Sequence, residues 1–213
     1  MHIEGNFRKE GHMSNTSNKT RTLVEVGMLG AIATVLMLFE FPLPFIAPPF
    51  YEMDLSEVPV LVGAFALGPL AGATIELIKI LLNLLINGTV TAFVGEIANY
   101  LIGCSFIIPA AIIYKKRKSK LNALIGMIVG TLIMAVFGCF INAYVLLPTY
   151  ASAFGMSIDS IIGLGSSINA NINDILTFVV IAVAPFNIIK GIVVSVITLL
   201  IYKHISPILK GNR

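Results

Sequence analysis

Charge is the scarcest property of this chain. Lys, Arg, Asp and Glu make up 12% of its 213 residues, whereas 57% are hydrophobic. A soluble domain of this size has no interior large enough for that much apolar surface, which excludes a water-soluble fold. The alternation of apolar and polar residues that marks a transmembrane barrel is also missing. Several stretches of ~20 residues carry few charges, about the length that crosses hydrocarbon as a helix. The chain reads as an all-α, polytopic membrane protein.

Reactive groups are as sparse as charge. The two cysteines, Cys104 and Cys139, lie inside apolar runs without metal-ligand spacing and read as small buried hydrophobes. There is no GxxxxGK[ST] loop to cradle phosphate, no HExxH and no GxSxG. Beyond residue 12 the single histidine is His204, at the end of a span. No nucleophile or metal cluster assembles at depth, so the chain is not expected to be an enzyme. It is expected to hold no metal and no cofactor of its own, and any active transport must draw its energy from a partner. The net charge of +3 sits at the ends of spans, which membrane topology explains without nucleic acid. Residues 1–12, MHIEGNFRKEGH, read as an expression-tag remnant before Met13, and 13–213 as one transmembrane domain. No cleavable signal peptide is expected, because the first apolar run is long and lacks a small-residue cleavage site.

Apolar runs and breakers divide the chain into spans near 22–40, 57–67, 70–86, 91–114, 121–147 and 175–204. Lys19 with Arg21, the KKRKSK loop at 115–120, and Lys203 with Lys210 and Arg213 form the basic clusters. The positive-inside rule puts all three in the cytoplasm. Residues 40–57 and 148–174 carry acids but no Lys or Arg, and are expected outside. Six helices with both termini cytoplasmic satisfy that pattern. The 57–67 run spans only roughly 16 Å as a helix and must cross incompletely. The fifth run is expected to stop at Leu147-Pro148, followed by a mixed segment to residue 174.

Polar residues gather at one depth. Glu76, Lys79, Asn83 and Asn87 form a stripe on the outer part of the third span. Glu96 and Asn99 come early in the fourth, Asn142 late in the fifth, and Asn187 with Lys190 follow Pro185 in the last. The inner halves, 104–114, 121–138 and 192–202, carry no charge. Ionisable groups at membrane depth face the bundle interior and mark functional sites. Their convergence predicts a pocket open to the outside, with no polar path through the membrane. Above it the proline-rich segment FPLPFIAPPFYEMDLSEVP, 41–59, cannot remain helical and is expected to form a lid. Its aromatics are Phe41, Phe45, Phe50 and Tyr51.

Each residue has a duller reading. Glu76 and Lys79 can form a structural i,i+3 ion pair. Asn83 and Asn99 can bond between helices, and the aromatics can anchor at the interface. Asp54 and Glu57 read most simply as acids capping the helix that begins near Ser56. Lys190 has no acid within a turn, so its partner lies across the bundle or is a ligand. Asparagines supply a donor and an acceptor together. With a lysine and aromatic surfaces they suit a flat, polar-edged, mostly neutral small molecule. In the first span Gly27 with Ala31, and Gly30 with Thr34, set small residues four apart. Such stripes admit another helix closely, either a partner's or one of the same bundle.

Taken together, FPLPF, PP and MDLSEVPVL, then AFALGPLAGATIELIKILLN, ANYLIG, NAYVLLPTY and PFNIIKG, resemble the riboflavin-specific substrate-binding subunits (S components) of energy-coupling factor transporters. The resemblance runs in order over about 22–204. It implies a six-helix bundle in a bacterial cell membrane that captures riboflavin at the extracellular side. It also implies docking to a shared membrane coupling subunit and two ATPases, which use ATP, and toppling in the bilayer to release the vitamin inside. By the family pattern Asn142, Asn187 and Lys190 hydrogen-bond the isoalloxazine edge, and 41–54, with Phe50, Tyr51 and Met53, closes over the ring. Lys79, Asn83 and Asn99 complete the expected contacts. The family's first helix carries an alanine–xxx–alanine docking motif where this chain has Gly27 and Ala31. An S component for another vitamin, a stand-alone facilitator, or an intramembrane enzyme with an outward site are the alternatives left open.

Overall fold

The computed structural model describes the backbone of residues 4–89 and 91–210, and the side chains of 19–89 and 91–202. The expected tag boundary at 1–12 and Met13, and the side chains of Lys203, His204, Lys210 and Arg213, lie outside the described residues.

Two short strands, β1 (Phe41–Pro42) and β2 (Glu52–Met53), pair antiparallel after helix α1 (Glu4–Met37). Then come α2 (Glu57–Leu67), α3 (Pro69–Asn87), α4 (Val94–Lys116) and α5 (Lys120–Ile141). A π-helical turn at Asn142–Leu146 leads into α6 (Leu147–Ala153), followed by α7 (Ile158–Ser166) and α8 (Ile175–Phe178). A second π turn, Val179–Val183, leads into α9 (Ala184–Lys210).

Five stretches are long and apolar enough to cross a membrane: Lys19–Met37, Pro69–Asn87, Val94–Lys116, Lys120–Ala153 and Ile175–Tyr202. Their exposed faces are apolar, with Leu23, Leu70, Leu85 and Val136 all more than 70% exposed, as a lipid-facing surface requires. Helix α2 is eleven residues long and, after Glu57, apolar all round. It can be so because it packs among α1, α3, α4 and α9, burying 57–65.

The fifth run does not stop at Pro148. Proline has no N–H to give the carbonyl four residues back, and its ring crowds that carbonyl. The chain absorbs this by widening one turn: the Leu147 N–H bonds Asn142 O, five back, and the helix continues. The same occurs before Pro185, where the Ala184 N–H bonds Val179 O. Residues 148–174, expected as an irregular segment, instead contain α6 and α7. Ser157 starts α7 by accepting from the Ser160 N–H, and Asp174 caps α8 through Thr177.

Two apolar clusters divide the interior. One, with Leu61, Phe106, Ile107, Met127 and Val194, fills the bundle toward the α4–α5 turn, where Tyr202 meets Phe65 and Tyr114 edge to face. The other, with Tyr51, Met53, Leu147, Phe178 and Phe186, lies at the opposite end under the 38–56 segment. The cavity opens between them.

Candidate functional site

The cavity is about 270 Å³, just below the ~300–1,000 Å³ usual for small-molecule sites. Several regions build its wall. The 38–56 segment supplies Glu40, Phe50, Tyr51, Glu52 and Asp54. Asn83 comes from α3, and Glu96 and Asn99 from α4. The first π turn with α6 brings Asn142 and Tyr150, and the start of α9 brings Phe186, Asn187 and Lys190.

One side is an aromatic corner. Phe50 lies 4.8 Å from Tyr51 and 5.6 Å from Tyr150, and Tyr51 lies 5.7 Å from Phe186, centroid to centroid. These tilted and edge contacts leave ring surface toward the cavity. The Tyr51 hydroxyl donates to Asn142 Oδ1 at 2.6 Å, tying the segment to α5. Burial, then the neighbouring Tyr150 and Cys139, hold the Tyr51 phenol well above its ordinary value, so it stays a donor.

The other side is a polar edge. Asn142 donates Nδ2 to Gly138 O at 2.7 Å, and Asn187 donates Nδ2 to Val183 O at 3.1 Å. Each amide folds back on its own helix, Asn142 over the last turn of α5 and Asn187 over the turn that contains Pro185. Gly138 allows it: a Cβ there would stand 2.6 Å from Asn187 Nδ2. Lys190 Nζ donates to Asp54 Oδ2 at 3.0 Å. Burial would raise the Asp54 carboxyl, but Lys190 and Lys79 outweigh it and hold it below its ordinary value. At the mouth Glu40 is pushed from 4.5 up to about 7, by desolvation first, then by Glu52 and Asp54.

Seven of the nine residues expected at the ligand line this cavity: Asn142, Asn187, Lys190, Phe50, Tyr51, Asn83 and Asn99. Two do not. Lys79 is fully buried below it, held 2.9 Å from Glu57 Oε1 and 2.7 Å from Glu76 Oε1, so its ammonium is already engaged. Met53 is 4% exposed and packs in the apolar cluster, because the strand places it on the face opposite Glu52 and Asp54. Asp54 does accept from the Ser56 N–H at the start of α2, and it pairs with Lys190 as well; Glu57 serves Lys79. Of the small residues on α1, Gly27 has open space where a side chain would be, and Ala31 is exposed. Gly30 and Thr34 are used inside the bundle. A Cβ on Gly30 would strike Ile78, and Thr34 is 3% exposed with its hydroxyl on Gly30 O. They are packing residues, not a docking face.

Sequence reasoning missed Tyr150 and Phe186, although both stand in stretches of the chain that carry the resemblance, NAYVLLPTY and PFNIIKG. It placed Glu96 at this depth but missed Glu40, Glu52 and the two threonines, Thr89 and Thr91, that join Glu96 at the rim. There Thr89 Oγ1 donates to Glu96 Oε2 at 3.1 Å, beside Ala92 and Phe93 at φ of 48° and 70°.

Comparison with known proteins gives a consistent answer. The family described as ECF transporter, substrate-specific component matches residues 21–202. The riboflavin transporter RibU of Staphylococcus aureus is 36% identical over 200 residues, 94% of this chain and 98% of that protein. The riboflavin transporter FmnP of Bacillus subtilis is 34% identical over 196 residues, 92% and 97% of the two chains. A solved S component of a bacterial ECF transporter superposes with a TM-score of 0.71 at 36% identity, over 91% of this chain and 99% of that one.

Proposed function

The chain belongs to the substrate-specific components of ECF transporters, and from that membership and the cavity's geometry we propose that it captures riboflavin for an ATP-driven importer. The observation that carries this reading is the meeting of Asn142, Asn187 and Lys190 with Phe50, Tyr51, Tyr150 and Phe186 around one cavity. A flavin is flat and apolar on its faces, with carbonyls and ring N–H groups along one edge. The asparagines and Lys190 address the edge. The rings cover the faces. Asn83 and Asn99 contact the remainder of the ligand. The 41–54 segment acts as the lid, anchored by Tyr51 to Asn142 and by Asp54 to Lys190.

Six helices, α2 included, form the transmembrane unit over 13–213, with the cavity outside and both termini in the cytoplasm. Support comes from the basic residues at 115–120 on the α4–α5 turn, opposite the cavity end. Among the described residues the core between them is filled by apolar side chains and carries no charge, which favours release by movement of the whole subunit over passage through it. A coupling subunit docks on the α1 face that bears Gly27 and Ala31, and two ATPases supply the energy.

Purified protein tests the ligand. High-affinity capture leaves it yellow, with flavin absorbance near one per chain, and quenches added riboflavin fluorescence. A titration of riboflavin, its mononucleotide, thiamine and folate ranks riboflavin first. A colourless preparation that does not quench riboflavin rejects the assignment.

A further inference from the structure

The ionisable side chains beneath the cavity do not balance. Asp54 pairs with Lys190, while Lys79 alone faces both Glu57 and Glu76. Three acids thus share two ammoniums. Glu57, Glu76 and Lys79 are each at most 2% exposed. Among the described residues, Glu57 Oε2 and Glu76 Oε2 have no hydrogen-bond partner, and Glu76 Oε1 faces Lys79 without an aligned bond.

Geometry limits what can supply the missing positive charge. The Lys79 ammonium already bridges the two carboxyl groups, at the point a metal cation would take. On α4 the nearest surface is Gly103. A Cβ there would overlap Glu76 Oε1 and stand 3.2 Å from Glu57 Oε1, so the two carboxyl groups converge on bare backbone. The other titratable groups facing the pair are Tyr100 and Cys104 on α4, Asp54, and Lys190 on α9. None adds a free positive charge. Two ionised carboxyls this close repel, and an excess buried charge in a low-dielectric interior is strongly unfavourable.

We propose that Glu57 and Glu76 together bind one proton at neutral pH, which leaves the buried group of three acids and two lysines electrically neutral. The proton supplies the donor that the unpartnered carboxyl oxygens lack. It also makes Lys79 a fixed part of the scaffold, leaving Lys190 as the cation able to exchange its partner for a ligand. Apart from that last consequence, the inference rests on the packing and not on the identity of the ligand.

Infrared spectroscopy of the ligand-free full chain in detergent tests it. Glu40→Gln serves as background, because Glu40 is another carboxyl near its midpoint at neutral pH. The expected spectrum contains the carbonyl stretch of one neutral carboxyl that shifts slowly in D2O. Glu57→Gln or Glu76→Gln alone should abolish the whole band, because the remaining carboxylate is balanced by Lys79. Gel filtration and circular dichroism check folding. Should Glu57→Gln fail to fold, Glu76→Gln, which does not border the cavity, decides alone. Absence of the band in the background protein overturns the proposal, as does its survival in the folded variants. A melting temperature that depends on Na+ or K+ without any band overturns it in favour of a bound cation. A chain that failed to quench riboflavin would still give the same infrared answer.

Discussion

At the scale of single residues, Lys190 and Gly138 carry the sharpest consequences. Lys190 holds Asp54 at 3.0 Å while bordering the cavity, so in the proposed function it serves both as part of the lid's anchor and as a donor for the ligand edge. Lys190→Ala should weaken riboflavin binding by about 1.5–3 kcal/mol, the usual worth of a hydrogen bond to a charged group. An unchanged fluorescence titration would remove Lys190 from the site. Gly138→Ala tests the other wall. Its new Cβ would stand 2.6 Å from Asn187 Nδ2 and push that amide off its bond to Val183 O. Riboflavin affinity should fall, and an Asn187→Ala change added to Gly138→Ala should cost little more, because the two act through one side chain. Additive losses would mean that Gly138 acts elsewhere. The asparagines were legible in the sequence because a polar residue in an apolar span must face inward. The partner of Lys190 was not. Asp54 is 136 residues away, and its local position ahead of Ser56 points to a cap. Only tertiary packing brings the two together.

At the scale of elements, Asn142 opens one π turn and Asn187 stands one helical turn beyond the other. Each turn precedes a proline, Pro148 or Pro185, and each widens the helix by one residue. The sequence discloses the prolines, and the natural expectation is that helices end there. Whether a helix instead absorbs a proline depends on packing beyond it, here the apolar cover of Leu147, Phe178 and Phe186, which no local pattern records. The same limit hid α6 and α7 within 148–174. The β1–β2 pair has its own consequence. Glu40 precedes β1 and meets Glu52 and Asp54 across the hairpin, with its carboxyl raised to about 7. A group whose native value lies above its unfolded value binds more protons when folded, so stability falls as pH rises through the interval from about 4.5 to about 7. Asp54 is shifted the other way; its contribution is complete above pH 3.8 and constant over that interval. Melting curves of the ligand-free protein should therefore show a loss of stability toward pH 7 that Glu40→Gln removes. An identical slope in the variant would assign the effect to another group.

At the scale of the whole molecule, the decisive feature is the unequal distribution of polarity along the bundle. Charges and amides collect at one end, around the cavity and the 38–56 segment, while Phe106, Met127 and Val194 fill the other interior, where the buried polar groups are hydroxyls such as those of Thr131 and Thr198. The five basic residues of 115–120 ring the turn beyond that dry core. This asymmetry was readable from the spacing of asparagines and lysines, whereas the split use of α1 was not. Gly30 and Gly27 look alike in sequence and differ only in whether Ile78 is opposite. If the proposed orientation is right, a membrane-impermeant maleimide must distinguish the two ends in intact cells, with Cys104 and Cys139 first replaced. Phe93→Cys, 54% exposed on the turn between α3 and α4, should label from outside. Lys118→Cys, exposed on the turn between α4 and α5, should label only in inverted vesicles. Asn99→Cys should label from outside and be protected by riboflavin, since it lines the cavity. Thr198→Cys, fully buried in the dry half, should label from neither side. Labelling of Lys118→Cys in intact cells would invert the topology. Labelling of Thr198→Cys would reveal a wet path across the bundle, and release without movement of the whole subunit would then be possible.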